Sequence, residues 1–341
     1  MIEPSVAVLL NANAKRVSHR VHGVLSHVVP PEDIFLSRNR RDARTIARAV
    51  LARHYDTVFI GGGDGSFVGF VNEIMDSARG PESVPRFGML KLGTGNAVAD
   101  FVGASPARGD GILDDILRTR AGEIPGTYKL DLVETEGKRC PFAGFGIDAA
   151  IINDYSDLSR RFARTALRRL TTGGPGYAVA ITAKTIPHYL AGKGSAEVEI
   201  VNAGSPARRI AEGGRRIGPP IGRGEVLYRG PCNIVGCSTV PNFGFQFKFF
   251  PFAGKEPGTM QLRVANVAAT TVVANLRSIW KGKYVDEETI SDFLCDRVDV
   301  HFDRPMPFQI GGDPEGYRER VVFGVARPPV EMVNFNKSLR Q

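Results

Sequence analysis

The sequence predicts an α/β domain built on a parallel, doubly wound sheet, followed by a β-rich antiparallel domain. Three observations carry this. Strand-like apolar runs alternate with helix-spaced segments up to about residue 125, and two glycine-rich turns follow strand candidates within that stretch. Beyond about residue 128, short apolar runs separated by Gly, Pro and Asn take over. A length of 341 residues exceeds what one core usually organises and suits two domains.

Residues 5–10 (SVAVLL) form an apolar run ending at Asn11 and Asn13, a strand followed by a turn. Between Arg40 and His54 the residues Ala43, Ile46, Ala47, Val50 and Leu51 recur at helical spacing. TVFI (57–60) is a buried-strand candidate that runs straight into GGGDGS (61–66), and 67–76 reads as a helix closed by Gly80 and Pro81. FGML (87–90) is the next strand, leading to GTGN (93–96) and another short helix. This nucleotide-binding type of domain spans 1–127. From 128 to 324 the runs YKLDLV, AEVEIVN, CNIVGCS, FQFKFF, MQLRVAN and VDVHF read as strands of an antiparallel sandwich or barrel, interrupted by one helical patch near 156–170. Whether the tail from about 325 to 341 packs back on the first domain is not decided by its sequence.

The 44 Lys and Arg outnumber the 36 Asp and Glu, a formal charge of +8. That favours an anionic partner, whether nucleotide, anionic membrane or nucleic acid. No recognised nucleic-acid motif accompanies the arginines, so a nucleic-acid partner is not expected. No apolar run reaches the roughly 18 residues of a membrane helix, and the first residues, MIEPSVAVLL, carry an acid where a secretory signal would be basic. A cytoplasmic protein is the expectation. Cys140, Cys232, Cys237 and Cys295 form no C-x-x-C pair and read as small buried hydrophobes.

The chemistry concentrates in IGGGDGSF (60–67). Gly61, Gly62, Gly63 and Gly65 let the backbone turn sharply and bring N–H groups against a phosphate chain, with the Ser66 hydroxyl beside them. The helix that follows adds partial positive charge at its N-terminus. Asp64 would repel a phosphate; it makes sense facing a metal or ordering the loop by hydrogen bonds, and a plain capping turn is the alternative. Neither a Walker G-K-[ST] nor the G-x-G-x-x-G spacing is present. The second loop, KLGTGNAVAD (91–100), puts Gly93, Thr94, Gly95 and Asn96 after the next strand. Ligands of open α/β sheets bind where such strand ends meet, so the two loops can face one crevice.

Together GGGDGS (61–66) and LGTGN (92–96) resemble the two signatures of the diacylglycerol kinase catalytic-domain family. That family includes sphingosine, ceramide and bacterial lipid kinases, with NAD kinase and phosphofructokinase as remoter relatives. NANA (11–14), beginning at Asn11, sits where the family has its first asparagine turn, and FAGFGIDA (142–149) is similar to the segment opening its second domain. The resemblance is strong over about 55–150 and patchy to 325. It implies a phosphofructokinase- and NAD kinase-like first domain and an active site in the interdomain cleft. It also implies ATP phosphates on the glycine loops, Mg2+ held by those phosphates with Asp64, and a membrane-lipid hydroxyl as acceptor, as in diacylglycerol or a sphingoid lipid. The family's late D-G-E segment supplies the base that activates the acceptor. GGDPEG (311–316) is its nearest match here, making Asp313 the base candidate and Glu315 its neighbour; an exposed acidic turn is the alternative.

The sequence departs from the family at several points. Val68 and Gly69 stand where the family has asparagine and glutamate, with Asn72 and Glu73 one turn later. Lys91 and Pro314 replace a proline and a glycine. PFAGKEPG (251–258) offers only Glu256, beside Pro257, for a secondary magnesium site, so none is expected there. These departures keep open a degenerate, non-catalytic nucleotide- or lipid-binding protein, and a soluble-substrate kinase related to NAD kinase is a further alternative.

On the acceptor side, SRRFARTALRRL (159–170) gives an amphipathic helix whose basic face suits either plain solvent or anionic headgroups at the inner membrane surface. Arg208, Arg209, Arg215, Arg216 and Arg223 fall in a Gly/Pro-rich stretch read as a mobile loop. Phe243, Phe245, Phe247 and Phe249 alternate as one face of a strand would. The oligomeric state is not legible, and a homodimer stays open.

Overall fold

In the computed structural model β1 (Val6–Asn11) is the strand expected at 5–10, and every side chain from Val6 to Leu10 is buried. Alternate residues of a strand serve opposite faces, so burial of all five means that both faces are covered. Val6, Val8 and Leu10 pack in one cluster with Leu25, Phe59, Leu90, Leu92, Ile112 and Ile116, while Ala7 and Leu9 take the other face. The described residues are 4–14, 16–93, 95–107, 110–124, 126–146, 149–150, 153, 194–243, 248–268, 271, 275, 278, 281, 284, 286–336 and 338–339. They fall into two units, one of Met1–Asp131, Asn242–Phe247 and Ala326–Gln341, the other of Leu132–Pro241 and Lys248–Val325.

The first unit continues through α1 (His19–Leu25), β2 (Ile34–Ser37), α2 (Arg40–Ala52), β3 (Thr57–Gly62), α3 (Asp64–Ser77), β4 (Arg86–Lys91), α4 (Ala97–Phe101), α5 (Gly111–Arg120) and β5 (Gly126–Leu130). Helix α2 starts where the Asn39 side chain accepts the Asp42 N–H at 3.0 Å, a standard N-cap. It buries Ala43, Ile46, Ala47 and Val50, positions marked by the helical spacing. Helix α3 begins three residues before the expected 67–76, because only Gly63 separates it from β3. What reads as a glycine loop is a strand-to-helix junction whose last three residues are the helix's first turn. Strands β2, β1, β3 and β4 pair in parallel in that order.

The second unit holds β6 (Val133–Thr135), β7 (Lys138–Cys140), β8 (Phe142–Gly146), β9 (Ala196–Asn202), β10 (Ala207–Ile210) and β11 (Arg216–Ile221). It continues with β12 (Val226–Cys232), β13 (Ile234–Ser238), β14 (Met260–Ala265), β15 (Ile290–Cys295), β16 (Arg297–Ile310) and β17 (Asp313–Val325). Their pairings are antiparallel and link into one 12-stranded sheet. Its core is aromatic: Phe145 lies 4.7 Å from both Phe302 and Phe308, centroid to centroid. Arg263 on β14 grips Asp292 on β15 with two 2.8 Å bonds, and Gln261 adds a third at 2.7 Å. Both ions are buried, so the added hydrogen bonds are what make the pair tolerable.

Strand β18 (Val330–Asn334), from the chain's tail, completes the first sheet. It pairs in parallel with β4 and antiparallel with β5, so the sheet is mixed rather than wholly parallel. Other expectations change as well. YKLDLV is not one strand: its two halves enter different sheets as β5 and β6, with Asp131 between them. The arginine-rich stretch from 207 to 221 is not a loop but the hairpin β10–β11. There Arg216 pairs with Glu256 at 2.8 Å and Arg215 with Glu287 at 3.4 Å. Phe245, Phe247 and the helical patch at 156–170 lie outside the described residues. Residues 248–250 are not strand; the Phe250 N–H closes a turn onto the Pro241 carbonyl and its ring is buried. All four cysteines are buried free thiols, and burial pushes Cys232 up to about 12. Among the described residues no helix is long and apolar enough to cross a membrane.

At the amino ends of β1 and β3, the Ser5 N–H and hydroxyl each donate to Asp56 at 2.8 Å. These bonds hold the Asp56 carboxyl below the usual carboxylate range, the Ser5 N–H contributing most. A depressed acid stabilises the fold above its unfolded value of about 3.9, and the contribution is lost as pH falls through the lower folded value. Ser5→Ala removes one of these bonds. In urea titrations the stability gap between parent and variant should stay constant above about pH 5 and narrow below about pH 4.

Candidate functional site

The carboxyl ends of β1, β3 and β4 carry the residues singled out in the sequence. The Gly61–Gly62 end of β3 pairs with Leu90–Lys91 of β4, which brings the two glycine turns side by side. They touch backbone to backbone: a Cβ on Gly93 would lie 2.2 Å from the Gly63 Cα, and one on Gly63 would lie 2.5 Å from the Gly95 carbonyl oxygen. Only glycine permits so close an approach. Gly62 is closed in by Ser66, whose hydroxyl accepts from the Asn11 amide at 2.9 Å. The same Asn11 side chain accepts the Asn13 N–H at 2.9 Å, which shapes the turn after β1. Asn11, Gly61, Gly62, Gly63, Ser66, Gly93, Gly95 and Asn96 are therefore brought together at one edge of the sheet. Gly65 is the exposed residue of the first turn of α3, where helical N–H groups have no intrahelical acceptor. Thr94 lies outside the described residues.

Asp64 is the clasp of this arrangement. It is 6% exposed; its two oxygens accept the N–H groups of Ala97 at 3.0 Å and Val98 at 3.1 Å, and its own N–H donates to Gly95 at 3.2 Å. Burial pushes its carboxyl up, against the pull of those two N–H groups, and the nearby Asp100 adds a like charge. Of the two roles read for Asp64, the geometry serves loop ordering. Both oxygens are held on backbone N–H groups inside the protein. Asn96 donates to the Gly93 carbonyl at 3.2 Å, while its buried Oδ1 has no partner within the protein.

Two cations at this edge escape a motif-based reading. Arg16 hangs on the second loop, its N–H 3.3 Å from the Leu92 carbonyl and its guanidinium 3.4 Å from that of Lys91. Lys91 is half-buried and pairs with Asp100 at 2.8 Å. Of Asn72 and Glu73, one turn later in the helix, Asn72 bonds the Val68 carbonyl of its own helix and Glu73 pairs with Arg44 of α2.

In the second unit, Gly311 and Gly312 join β16 to β17 in a two-residue turn with φ of 60° and 88°. Asp313 follows at the exposed start of β17, paired with Ile310. Glu315 forms an ion pair with Lys138 of β7, and Arg318 donates to the Glu315 carbonyl at 2.9 Å. Asp313 and Glu315 thus share one hairpin tip, set in a ring of charge.

Two substitutions test the clasp. Gly93→Ala drives a methyl into the Gly63 backbone, so the loops must part; overpacking of this kind costs about 1–3 kcal/mol and should lower the urea midpoint. Asp64→Asn keeps the shape but turns an amide N–H toward Ala97 or Val98. One buried N–H then goes unpaired, again a loss of about 1–3 kcal/mol by the same measurement.

Comparison with known proteins bears on this edge of the sheet. The family description "Diacylglycerol kinase catalytic domain" matches residues 5–125, a span containing both glycine loops. No curated protein sequence matches the chain. A crystal structure of a Bacillus anthracis str. Sterne protein, provisionally designated a diacylglycerol kinase, is similar with a TM-score of 0.64 at 15% identity. That match covers 100% of this chain and 98% of the other. A crystal structure of a diacylglycerol kinase from the same strain gives 0.60 at 14% identity, covering 100% of both chains. At such identities the likeness shows the fold. Residues 5–125 are thus similar to the diacylglycerol kinase catalytic domain, and the whole chain shares the fold of those structures.

Proposed function

We propose that the chain is an ATP-dependent kinase that phosphorylates a hydroxyl group of a membrane lipid, of the diacylglycerol or sphingoid kind. The observation that carries this reading is the backbone contact of Gly63 with Gly93 at the carboxyl edge of a parallel sheet, inside a domain of kinase type. Such an edge is where open α/β sheets bind ligands. At the start of a 14-residue helix, the N–H of the exposed Gly65 suits a phosphate chain. Arg16 supplies positive charge beside it, while Lys91 is paired with Asp100. Mg2+ on this reading arrives with the nucleotide, as its phosphates' counter-ion, and not on a protein cage.

For the transfer itself, the Asp313 carboxylate takes the proton of the lipid hydroxyl as that oxygen bonds to the γ-phosphorus. The bond from the γ-phosphorus to the bridging oxygen breaks, and ADP leaves. Phosphoryl transfer asks little more of the protein than positioning and charge neutralisation. A cytoplasmic enzyme meeting its substrate at the inner membrane surface fits this acceptor, with arginine-bearing segments facing anionic headgroups.

The test is transfer of labelled γ-phosphate from Mg-ATP to a lipid panel in mixed micelles, with NAD included. A labelled lipid supports the reading and names the substrate. Labelled NAD instead would move the chain to the soluble kinases, and no transfer despite bound ATP would make it a binding protein. Asp313→Asn should lower kcat by about 10²–10⁴ with ATP affinity nearly unchanged, because only the proton-accepting step is touched. Loss of ATP affinity with full turnover at saturation would remove Asp313 from that role.

A further inference from the structure

The hairpin tip that carries Asp313 and Glu315 contains an irregularity the proposed chemistry has not used. Gln309 pairs with Pro314 and Pro307 with Tyr317. Between those pairs β16 has one residue, Phe308, and β17 has two, Glu315 and Gly316. This is a β-bulge, and Gly316 adopts φ of 79°, the left-handed region that favours glycine. A bulge leaves ladder groups unpaired, here the Phe308 carbonyl and the Gly316 N–H. One side chain takes both. The buried Asn153 donates to the Phe308 carbonyl at 3.1 Å and accepts the Gly316 N–H at 3.1 Å; its amide also donates to the Ala149 carbonyl at 2.8 Å. Two carbonyls and one N–H around it allow a single orientation of the amide.

We infer that Asn153 is a positioning residue for phosphoryl transfer: its amide fills the bulge between Phe308 and Gly316 and so fixes the aim of the Asp313–Glu315 tip. The bulge shifts the alternation of β17 by one residue, so Asp313 before it and Tyr317 after it do not follow one regular pleat. Around the tip, Lys138 holds the Glu315 carboxylate and Arg318 its carbonyl, while Glu136 holds Arg318 at 2.6 Å. These contacts act on the tip's flank, whereas Asn153 acts on its root. Without the amide, the Phe308 carbonyl and the part-buried Gly316 N–H lose these bonds, and the bulge relaxes toward regular pairing or opens to water. Either movement displaces Asp313, and displacement by about 1 Å costs roughly a hundredfold in a positioned reaction.

The inference rests on the kinase reading, and the experiment separates the two. Asn153→Ala and Gly316→Ala are compared with the parent in lipid phosphorylation and in backbone hydrogen exchange. The expected result is a fall in kcat of roughly tenfold to a hundredfold in each variant, with the KM for ATP within about twofold of the parent. The double variant should lose little more than the worse single one, since both act through one bulge. Exchange should quicken over 311–316 and stay unchanged over 297–301. Parent-like kcat in Asn153→Ala would overturn the inference, as would exchange that quickens across the whole sheet along with the loss of rate. If the parent itself transfers no phosphate, the kinase reading fails and exchange alone decides. Quickening confined to 311–316 then upholds Asn153 as the anchor of the tip, and unchanged exchange there removes it.

Discussion

Everything at the carboxyl edge of the first unit's sheet depends on two backbones lying closer than any side chain would permit. Gly63 and Gly93 meet where β3 and β4 end, and the contact survives because Asp64 reaches across it to the N–H groups of Ala97 and Val98. The carboxylate does for α4 what an N-cap residue does for its own helix, but from a neighbouring element. It ties the start of α3 to the start of α4, so the two strand-to-helix junctions form one rigid surface. Because the bonds are to backbone, the neighbouring side chains are free to vary. Burying an acid to make them is unfavourable in itself, which is why both oxygens are fully engaged.

Much of this was legible in the sequence. Glycines in runs after apolar strands predicted junctions at a sheet edge, and helical spacing in 43–50 predicted the buried face of α2. What the motif could not convey was the direction of Asp64. An aspartate between glycines next to expected phosphates reads equally as metal ligand or as loop tie, and only the position of the α4 N-terminus separates the two. Arg16 was hidden for a similar reason: its contact with the second loop joins residues 75 and 76 positions apart, and no local pattern carries that.

The misread segments share a cause. YKLDLV is uniformly strand-like, yet its halves serve different sheets, because the change of unit falls inside it at Asp131–Leu132. The Gly- and Pro-rich arginine stretch looked like a loop because Pro219 and Pro220 lack ladder donors; both are tolerated in β11, which lies at the end of its sheet. Tail residues 330–334 carry a short apolar pattern that fits any sheet, and only the free edges of β4 and β5 decide that they pair there. In the second unit, Asn153 follows the FAGFGIDA segment with no motif of its own. Its meaning comes from a bulge 155 residues away.

The joined glycine junctions are the proposed seat of the nucleotide. The most direct measurement is backbone hydrogen exchange over 61–66 and 91–98, with and without ATP. The Ala97 and Val98 amides, already held by Asp64, should be protected in both states, whereas Gly65, Ser66 and Asn96 should become protected only when ATP is added. Protection by ATP that appears elsewhere in the chain and leaves these residues unchanged would contradict the account.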